Sequence, residues 1–202
     1  VNHLDVAYRI SEGLSTGQFI YTHVGGEPDP NSPVTFNLVG NELETIFESP
    51  KVPKNPPVLQ DGSIYNIVFE GVDLAMNTSK SNVIDSVKYD VTRPVITIHN
   101  PQPKSNLMGV EISIEISEGL MDGKMVWTRT GGLKSRITRQ KIPLYNEYLT
   151  EGMHPHAKLP MDKTLSASVI YSLSVDAQDF AKNLAEPVSV EGIEYIRSMA
   201  GS

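Results

Sequence analysis

The chain has 202 residues, a net charge of −7 and no cysteine. The length suits one large or two small domains, and the lack of cysteine excludes disulfide scaffolds, thiol nucleophiles and thiolate-based zinc sites. With 24 acidic against 17 basic side chains and no basic run, nucleic acid is not expected as a partner. No stretch is long and apolar enough for membrane insertion.

The N-terminus lacks the charged and apolar regions of a signal peptide. Because the chain starts at Val1 and not at methionine, we expect a processed product or an excised fragment of a longer protein.

The sequence contains two copies of one module, related by an offset of 106 residues. Residues 8–26 and 114–132 share nine of 19 positions, including all of ISEGL. The segments 64–77 and 170–183 match in the same register. An internal period that does not slip indicates tandem domains.

Within each copy, apolar residues alternate with polar ones, which is the pattern of half-buried strands. In chain order, copy one predicts a strand at 4–10, a glycine-bearing loop at 11–17, a strand at 18–24 ended by Gly-Gly, a short strand within 36–43, a strand at 65–70, a turn at 73–77 and a closing strand that ends at 90. Copy two repeats these elements, with one helical turn possible at 146–152. Helical periodicity is otherwise poor.

Six or seven short strands in roughly 100 residues predict an all-β fold of two tandem immunoglobulin-like β-sandwich domains. We place them at residues 1–90 and 91–202. Residues 94–99 predict the opening strand of the second domain. Copy one begins at Val1, opposite Leu107, so we expect the first domain to lack its opening strand, which would come from upstream in a parent chain or from another chain.

A tyrosine corner is predicted by Asp61-Gly62-Ser63-Ile64-Tyr65, since a tyrosine in this setting bonds back to the corner through its hydroxyl. Copy two keeps Tyr171 but has Ala167 in place of the aspartate.

Together, SEGL, WTRTGG, D-G-x-x-Y, D-x-A-x-N and the closing YDVTRP resemble the tandem Ig-like repeats of large bacterial surface and secreted proteins, over essentially the whole chain. The resemblance implies an extracellular or cell-surface location within a larger parent protein. That family usually has glycine before the asparagine of its D-x-A-G-N turn, whereas this chain has Met76 and Lys182. We therefore expect Asn77 or Asn183 to take the left-handed conformation.

One candidate metal site lies where the two modules join. In an Ig-like fold the SEGL loop and the DxAxN turn share a pole with the entering linker, which predicts that Glu118 and Asp179 lie near Asp90. Three carboxylates suit calcium, which takes oxygen ligands, and the resemblance adds junctions stiffened by calcium. The alternative, which we favour, is structural: Asp179 caps its turn, Glu118 is solvated and Asp90 starts the linker turn.

Other candidates have plainer explanations. In copy one, Glu12 and Asp73 are present but the linker aspartate would precede Val1, so no complete site is predicted there. His154 and His156 could share a strand face as metal ligands, yet an exposed loop is favoured. Trp127, opposite Tyr21, could stack on a sugar, although a core position is favoured.

Catalytic signatures are absent, and the acidic cluster Glu42, Glu44 and Glu48 has no acidic counterpart in copy two. Acid–base catalysis needs positioned partners, so the protein is not expected to be an enzyme. The first hypothesis is a structural spacer that presents another domain or contributes to adhesion. The alternative is an Ig-like module that binds carbohydrate or a surface protein.

Overall fold

The computed structural model describes residues 1–2, 6–45, 54, 57–108, 111–136, 138–158 and 165–196. The chain divides into two compact units, Val1–Thr92 and Arg93–Ser202. Throughout the described residues the regular structure is β-strand and two 3-10 turns, Gly40–Leu43 and Asn146–Leu149, so the predicted all-β class is confirmed. No helix in the described part of the chain is long and apolar enough to cross a membrane.

The first unit is built on one antiparallel sheet. Its strands are β1 (Leu14–Gly26), β2 (Val34–Asn37), β3 (Ser63–Asp73), β4 (Thr78–Lys80) and β5 (Ile84–Lys88). The order is β2-β1-β3-β4, and β5 also pairs with β3. The register sets Phe19 opposite Phe69 and Tyr21 opposite Ile67 on one face, and Tyr8 covers that face with its ring 5.3 Å from Phe19.

The second unit is a sandwich of two sheets. Its strands are β6 (Ile96–Asn100), β7 (Asn106–Met108), β8 (Glu111–Ile116), β9 (Leu120–Gly132), β10 (Arg139–Pro143), β11 (Gly152–Lys158), β12 (Val169–Asp179) and β13 (Val188–Ile196). One sheet has the order β10-β9-β12-β13-β7 and the other β11-β8-β6. Alternate residues of β8, such as Ile114, pack against Trp127 and Leu173 of the facing sheet to form the core, as expected for inward faces of a sandwich.

The strand boundaries of the two units repeat the sequence period. β1 and β9 cover equivalent residues, as do β3 and β12. The irregularity in β1 between His23 and Gly25 recurs in β9 between Arg129 and Gly131. Gly26 and Gly132 end these strands with φ of 73° and 71°, and a Cβ there would collide with a backbone carbonyl. The Gly-Gly pair is therefore required by the turn.

Three predicted elements differ from the structure. Of the strand predicted at 4–10, the described residues 6–10 form no strand, and only Tyr8 makes an isolated bridge. The loop at 11–17 is shorter than expected, because β1 begins at Leu14 and Thr16 and Gly17 already pair with β3. The segment 36–43 is the end of a strand followed by the 3-10 turn at Gly40–Leu43, which the alternation rule does not detect. Leu4, part of the first predicted strand, lies outside the described residues.

Candidate functional site

The DxAxN segments form a closed hydrogen-bonded turn in both units. In the second, Asp179 Oδ1 accepts the backbone N–H of Asn183 at 2.7 Å and Oδ2 accepts its side-chain amide at 2.8 Å. In the first, Asp73 holds Asn77 in the same way at 2.8 and 2.7 Å. The Asn77 side-chain amide, and then its N–H, lower the pKa of Asp73 below its usual value. Each carboxylate thus fixes its own turn.

The left-handed residue of this turn is not the one expected. Met76 and Lys182 have φ of 69° and 75°, and neither Asn77 nor Asn183 has a positive φ. The reason is that the asparagine donates both its N–H and its amide to the aspartate, which fixes its backbone. The strain falls on the residue before it, where a side chain is disfavoured.

The predicted cation ligands are distributed over the two units. Within the second, Glu118 and the buried Asp179 present carboxylate oxygens within 4.8 Å of each other, a separation that one calcium ion can span with ligand distances of roughly 2.3–2.6 Å. Asp90 belongs to the first unit, where its carboxylate contacts Lys88 Nζ at 3.1 Å. The calcium site that would join all three remains a prediction from the sequence.

Asp61 anchors the end of the first unit. Its Oδ1 accepts the N–H of Val91 at 2.7 Å and its Oδ2 accepts the Thr92 hydroxyl at 2.6 Å. Burial alone would raise the pKa of Asp61, but the hydrogen bonds from Thr92 and Val91 outweigh it and lower that pKa. The sequence marked this aspartate only as part of the tyrosine corner, and its contact with residues 30 positions away was missed.

The tyrosine corner is present in both units. The Tyr65 hydroxyl accepts the N–H of Gln60 at 3.0 Å, and the Tyr171 hydroxyl accepts the N–H of Ser166 at 2.9 Å. The first corner has a further bond, from the Tyr65 hydroxyl to Asp29 at 2.6 Å. The prediction from D-G-x-x-Y is confirmed, and it holds in copy two without the aspartate.

Trp127 and Tyr21 are core residues. Trp127 is 1% exposed and Tyr21 is fully buried, and the indole packs edge-on against Tyr171 at 6.2 Å. Burial raises the pKa of Tyr21 to about 12. Neither the indole nitrogen nor the Tyr21 hydroxyl has a hydrogen-bond partner among the described residues. Because its indole ring is buried in the core, Trp127 cannot stack on a sugar.

The two histidines lie on strand β11 and not in the expected loop. The pairing with β8 is irregular between His154 and Ala157, so the simple alternation of faces is lost. His154 is half-buried, with its Nε2 2.9 Å from the carbonyl of Thr150, whereas His156 is exposed. Among the described residues they join no cluster of three metal-binding side chains.

Glu42 has a structural role. It is 5% exposed, and its carboxylate accepts the N–H groups of Val39 at 2.9 Å and Lys54 at 2.7 Å. It thereby closes the 3-10 turn at Gly40–Leu43. Glu48, of the same acidic cluster, lies outside the described residues.

Each unit has a polar groove on the outer side of its main sheet. The first, of about 600 Å³, is bordered by Gln18, Glu70 and Lys80, with Lys80 Nζ 2.9 Å from Glu70. The second, of about 520 Å³, is bordered by Lys124 and Asp176, which stand 3.5 Å apart. These grooves occupy equivalent positions in the repeat and could take up a polar ligand.

No known family model matches this sequence, and no curated protein matches it. Among solved structures, the chain is similar to one described as the fibronectin(III)-like modules of CbhA from Clostridium thermocellum, with 14% identity and a TM-score of 0.40 over 96% of this chain and 85% of that one. A likeness this distant does not transfer a function.

Proposed function

We propose that the chain is a non-catalytic spacer within a larger cell-surface or secreted protein, where two sandwich repeats hold another domain away from its attachment point or contribute to adhesion. The observation that supports it most is how the residues between the two units are held. A spacer needs a short connection with little freedom of its own.

Hydrogen bonds hold the residues on each side of the boundary to their own unit. Val91 and Thr92 are tied to Asp61 of the first unit. Arg93 donates to the carbonyl of Leu184 at 2.9 Å, and the carbonyl of Pro94 accepts the N–H of Glu186 at 2.9 Å. Only the Thr92–Arg93 peptide link separates residues bound to one unit from residues bound to the other. Pro94 further restricts the preceding residue to extended geometry.

The non-catalytic part of the proposal is supported by the use of the buried carboxylates. In the described part of the chain these are Glu42, Asp73 and Asp179. Each accepts hydrogen bonds from backbone N–H groups of its own turn. A general acid or base must instead face a substrate, so these groups are committed to the fold. The surface location rests on the sequence resemblance alone.

Small-angle scattering on the full chain tests the spacer function. We expect the data for the native chain to fit one narrow distribution of particle dimensions. A Gly-Gly-Ser insertion after Thr92 should broaden it, and Asp61→Ala should move it in the same direction because Val91 and Thr92 lose their acceptor. Asp85→Ala, at an exposed strand position, is the matched control. If the native chain already scatters like the insertion variant, the spacer proposal is wrong.

A binding module is the second candidate, favoured by the groove at Gln18, Glu70 and Lys80. Polar groups of opposite charge over a concave surface can take sugar hydroxyls or a peptide. A glycan array and a pull-down with the full chain separate the two functions. A spacer that only separates domains predicts no saturable binding. Saturable binding that is lost in Lys80→Ala, with the fold unchanged by circular dichroism, would favour the binding module.

A further inference from the structure

One segment of the second unit concentrates the basic residues of this acidic chain. Residues 123–146 contain six of the 17 lysines and arginines and no aspartate or glutamate. The equivalent segment of the first unit, residues 17–40, contains two acidic residues and no lysine or arginine. The positive charge is therefore a property of one copy, and the repeated strands and turns do not require it.

Two of the six cations serve the fold. Lys124 pairs with Asp176 at 3.5 Å. The Arg129 guanidinium donates to the carbonyls of Gly132 and Leu133 at 3.2 and 3.1 Å. The other four are exposed, and none of them forms an ion pair with any residue that the structure describes; we call them the basic edge, and they are Lys134, Arg136, Arg139 and Lys141. Because like charges this close repel one another, an anionic partner would stabilise the segment.

Strand pairing places two of these cations on the outer face of the main sheet. On β10, Ile142 lies opposite Met125, and both side chains are buried in the core. Successive side chains of a strand point to opposite faces, so Arg139 and Lys141 project away from the core. β10 is the edge strand of its sheet, and the other two cations lie in the loop that leads directly into it.

Hydroxyl groups lie beside the basic edge on the same outer face. The row of paired residues that begins with Arg139 continues with Thr128 and Ser172. The row that begins with Lys141 continues with Val126, Ser174 and Ser189. Cations next to hydroxyl groups suit a ligand that carries both carboxylates and hydroxyls. A surface for single-stranded nucleic acid would instead pair its cations with aromatic stacking platforms, and these two rows contain no aromatic side chain.

Basic side chains at a sheet edge have a second explanation, which is protection of the edge. Charged residues there hinder pairing with a strand from another chain. That role would apply equally to β2, which forms the equivalent edge of the first unit. The sequence of β2 is VTFN and contains no charged residue. Edge protection therefore does not account for four cations of one sign in the second unit.

We propose that the basic edge binds an acidic polysaccharide, a sugar polymer that carries carboxylate groups. The carboxylates pair with the lysine and arginine side chains, and the sugar hydroxyls hydrogen-bond to Thr128, Ser172 and Ser174. The five residues of β10 extend over about 17 Å, so the polymer lies along the strand and meets several cations at once. This inference does not depend on the spacer function, and it uses a surface other than the groove of the first unit.

Fluorescently labelled probes added to the full chain test the proposal. The first probe is an oligogalacturonate, the second is the same oligosaccharide with its carboxylates converted to methyl esters, and the third is a single-stranded DNA of similar length. Fluorescence anisotropy measures dissociation constants up to about 1 mM. The test variant is Arg139→Glu with Lys141→Glu. The control is Lys104→Glu with Lys182→Glu, which changes the net charge equally at exposed positions elsewhere in the second unit.

We expect the oligogalacturonate to bind with an affinity that falls as salt is added, and the methyl ester not to bind. The test variant should lose about tenfold in affinity and the control less than about twofold, with circular dichroism unchanged in both. If the strand variant does not fold, Lys134→Glu with Arg136→Glu makes the same test in the loop. Lys80→Ala should bind like the native chain, which separates this surface from the groove of the first unit.

Three results would overturn the proposal. The first is no binding of the oligogalacturonate at about 1 mM. The second is equally tight binding of the methyl ester or of the DNA, because neither presents carboxylates on a sugar chain. The third is an equal loss of affinity in the test and control variants, which would show that only the overall charge of the chain matters.

Discussion

The two units share several equivalent strands but differ in how completely their core residues are buried. In the second, Ile112, Ile114 and Ile116 of β8, which pairs with β6 in the same sheet, are fully buried, whereas Val6, Tyr8 and Ile10 of the first are half-buried. Both keep the tyrosine corner and the Asp–Asn turn. The comparison teaches that the shared turns accompany equivalent strands, β1 with β9 and β3 with β12, whereas residues 6–10 form no strand where the second unit has β8 paired with β6.

The largest expected effect on stability comes from a substitution in the buried core of the second unit. Trp127→Ala should destabilise the second unit by about 3–5 kcal/mol, because it removes the largest fully buried side chain and leaves a cavity. Thermal unfolding followed by near-ultraviolet circular dichroism should show one transition lowered and the other retained. The counterpart change Tyr21→Phe removes a hydroxyl without a partner in the described part of the chain, and is expected to be neutral or stabilising. A loss in Tyr21→Phe as large as in Trp127→Ala would contradict the absence of a partner for the Tyr21 hydroxyl in the described part of the chain.

The Asp–Asn turn is expected to have the next largest effect. Asp179→Ala leaves the N–H and amide of buried Asn183 without their acceptor, and should cost about 2–3 kcal/mol, as for hydrogen bonds to a charged group. Urea unfolding measures the change. The conservative variant Asp179→Asn keeps one acceptor oxygen and should cost less. A neutral Asp179→Ala would show that the turn does not depend on its aspartate.

Calcium binding tests whether the two units also differ in their ability to hold a metal ion. For the site predicted at Asp90, Glu118 and Asp179, calcium at about ten times its dissociation constant should stabilise the fold by about 1.4 kcal/mol. Differential scanning calorimetry should show a rise in Tm that Glu118→Gln removes. The counterpart variant Glu12→Gln should leave the rise intact. No heat and no shift in Tm with millimolar calcium would eliminate the site.

Glycine at the strained turn position should stabilise both units equally. Met76→Gly and Lys182→Gly relieve a left-handed side-chain conformation that costs about 1–2 kcal/mol, partly offset by glycine's flexibility in the unfolded chain. We expect a net gain of about 0.5–1 kcal/mol for each. Ala75→Gly, at a neighbouring residue without positive φ, should destabilise slightly. A loss of stability in Met76→Gly would mean that its side chain has an unrecognised contact.

The smallest effect concerns pH. The Asn77 amide and N–H lower the pKa of Asp73, so the stability this carboxylate contributes is present above the unfolded-state value of about 3.9 and is lost as pH falls through the lower folded-state pKa. Carbon-13 NMR of the Asp73 carboxyl should show a pKa below its unfolded-state value, and Asn77→Ala should raise it. Asn183→Ala, in the other unit, should leave it unchanged.

Much of this architecture can be predicted from the sequence, because alternation reports which side of a pleated strand is buried and the repeat checks each assignment twice. The tyrosine corner at Tyr65 and Tyr171 and the core position of Trp127 follow in this way. The 3-10 turn at Gly40–Leu43 does not, since four residues contain no period.

The contacts that were missed are formed by residues distant in sequence or by competing local bonds. Asp61 reaches Val91 and Thr92 through a loop that only the folded unit brings together. The left-handed position was assigned to asparagine on its intrinsic preference, whereas two hydrogen bonds to Asp73 fix Asn77 and shift the strain to Met76. For the acidic cluster, composition alone cannot separate a reactive glutamate from Glu42, which binds backbone N–H groups.

The turn residues Met76 and Lys182 have one practical consequence. They occupy equivalent positions in the two units, both are exposed, and the chain contains no cysteine. Met76→Cys combined with Lys182→Cys therefore gives a matched pair of attachment points for spin labels, with no native thiol to remove. The width of the label–label distance distribution, measured by pulsed electron paramagnetic resonance, would then report directly how much the two halves of the chain move with respect to each other.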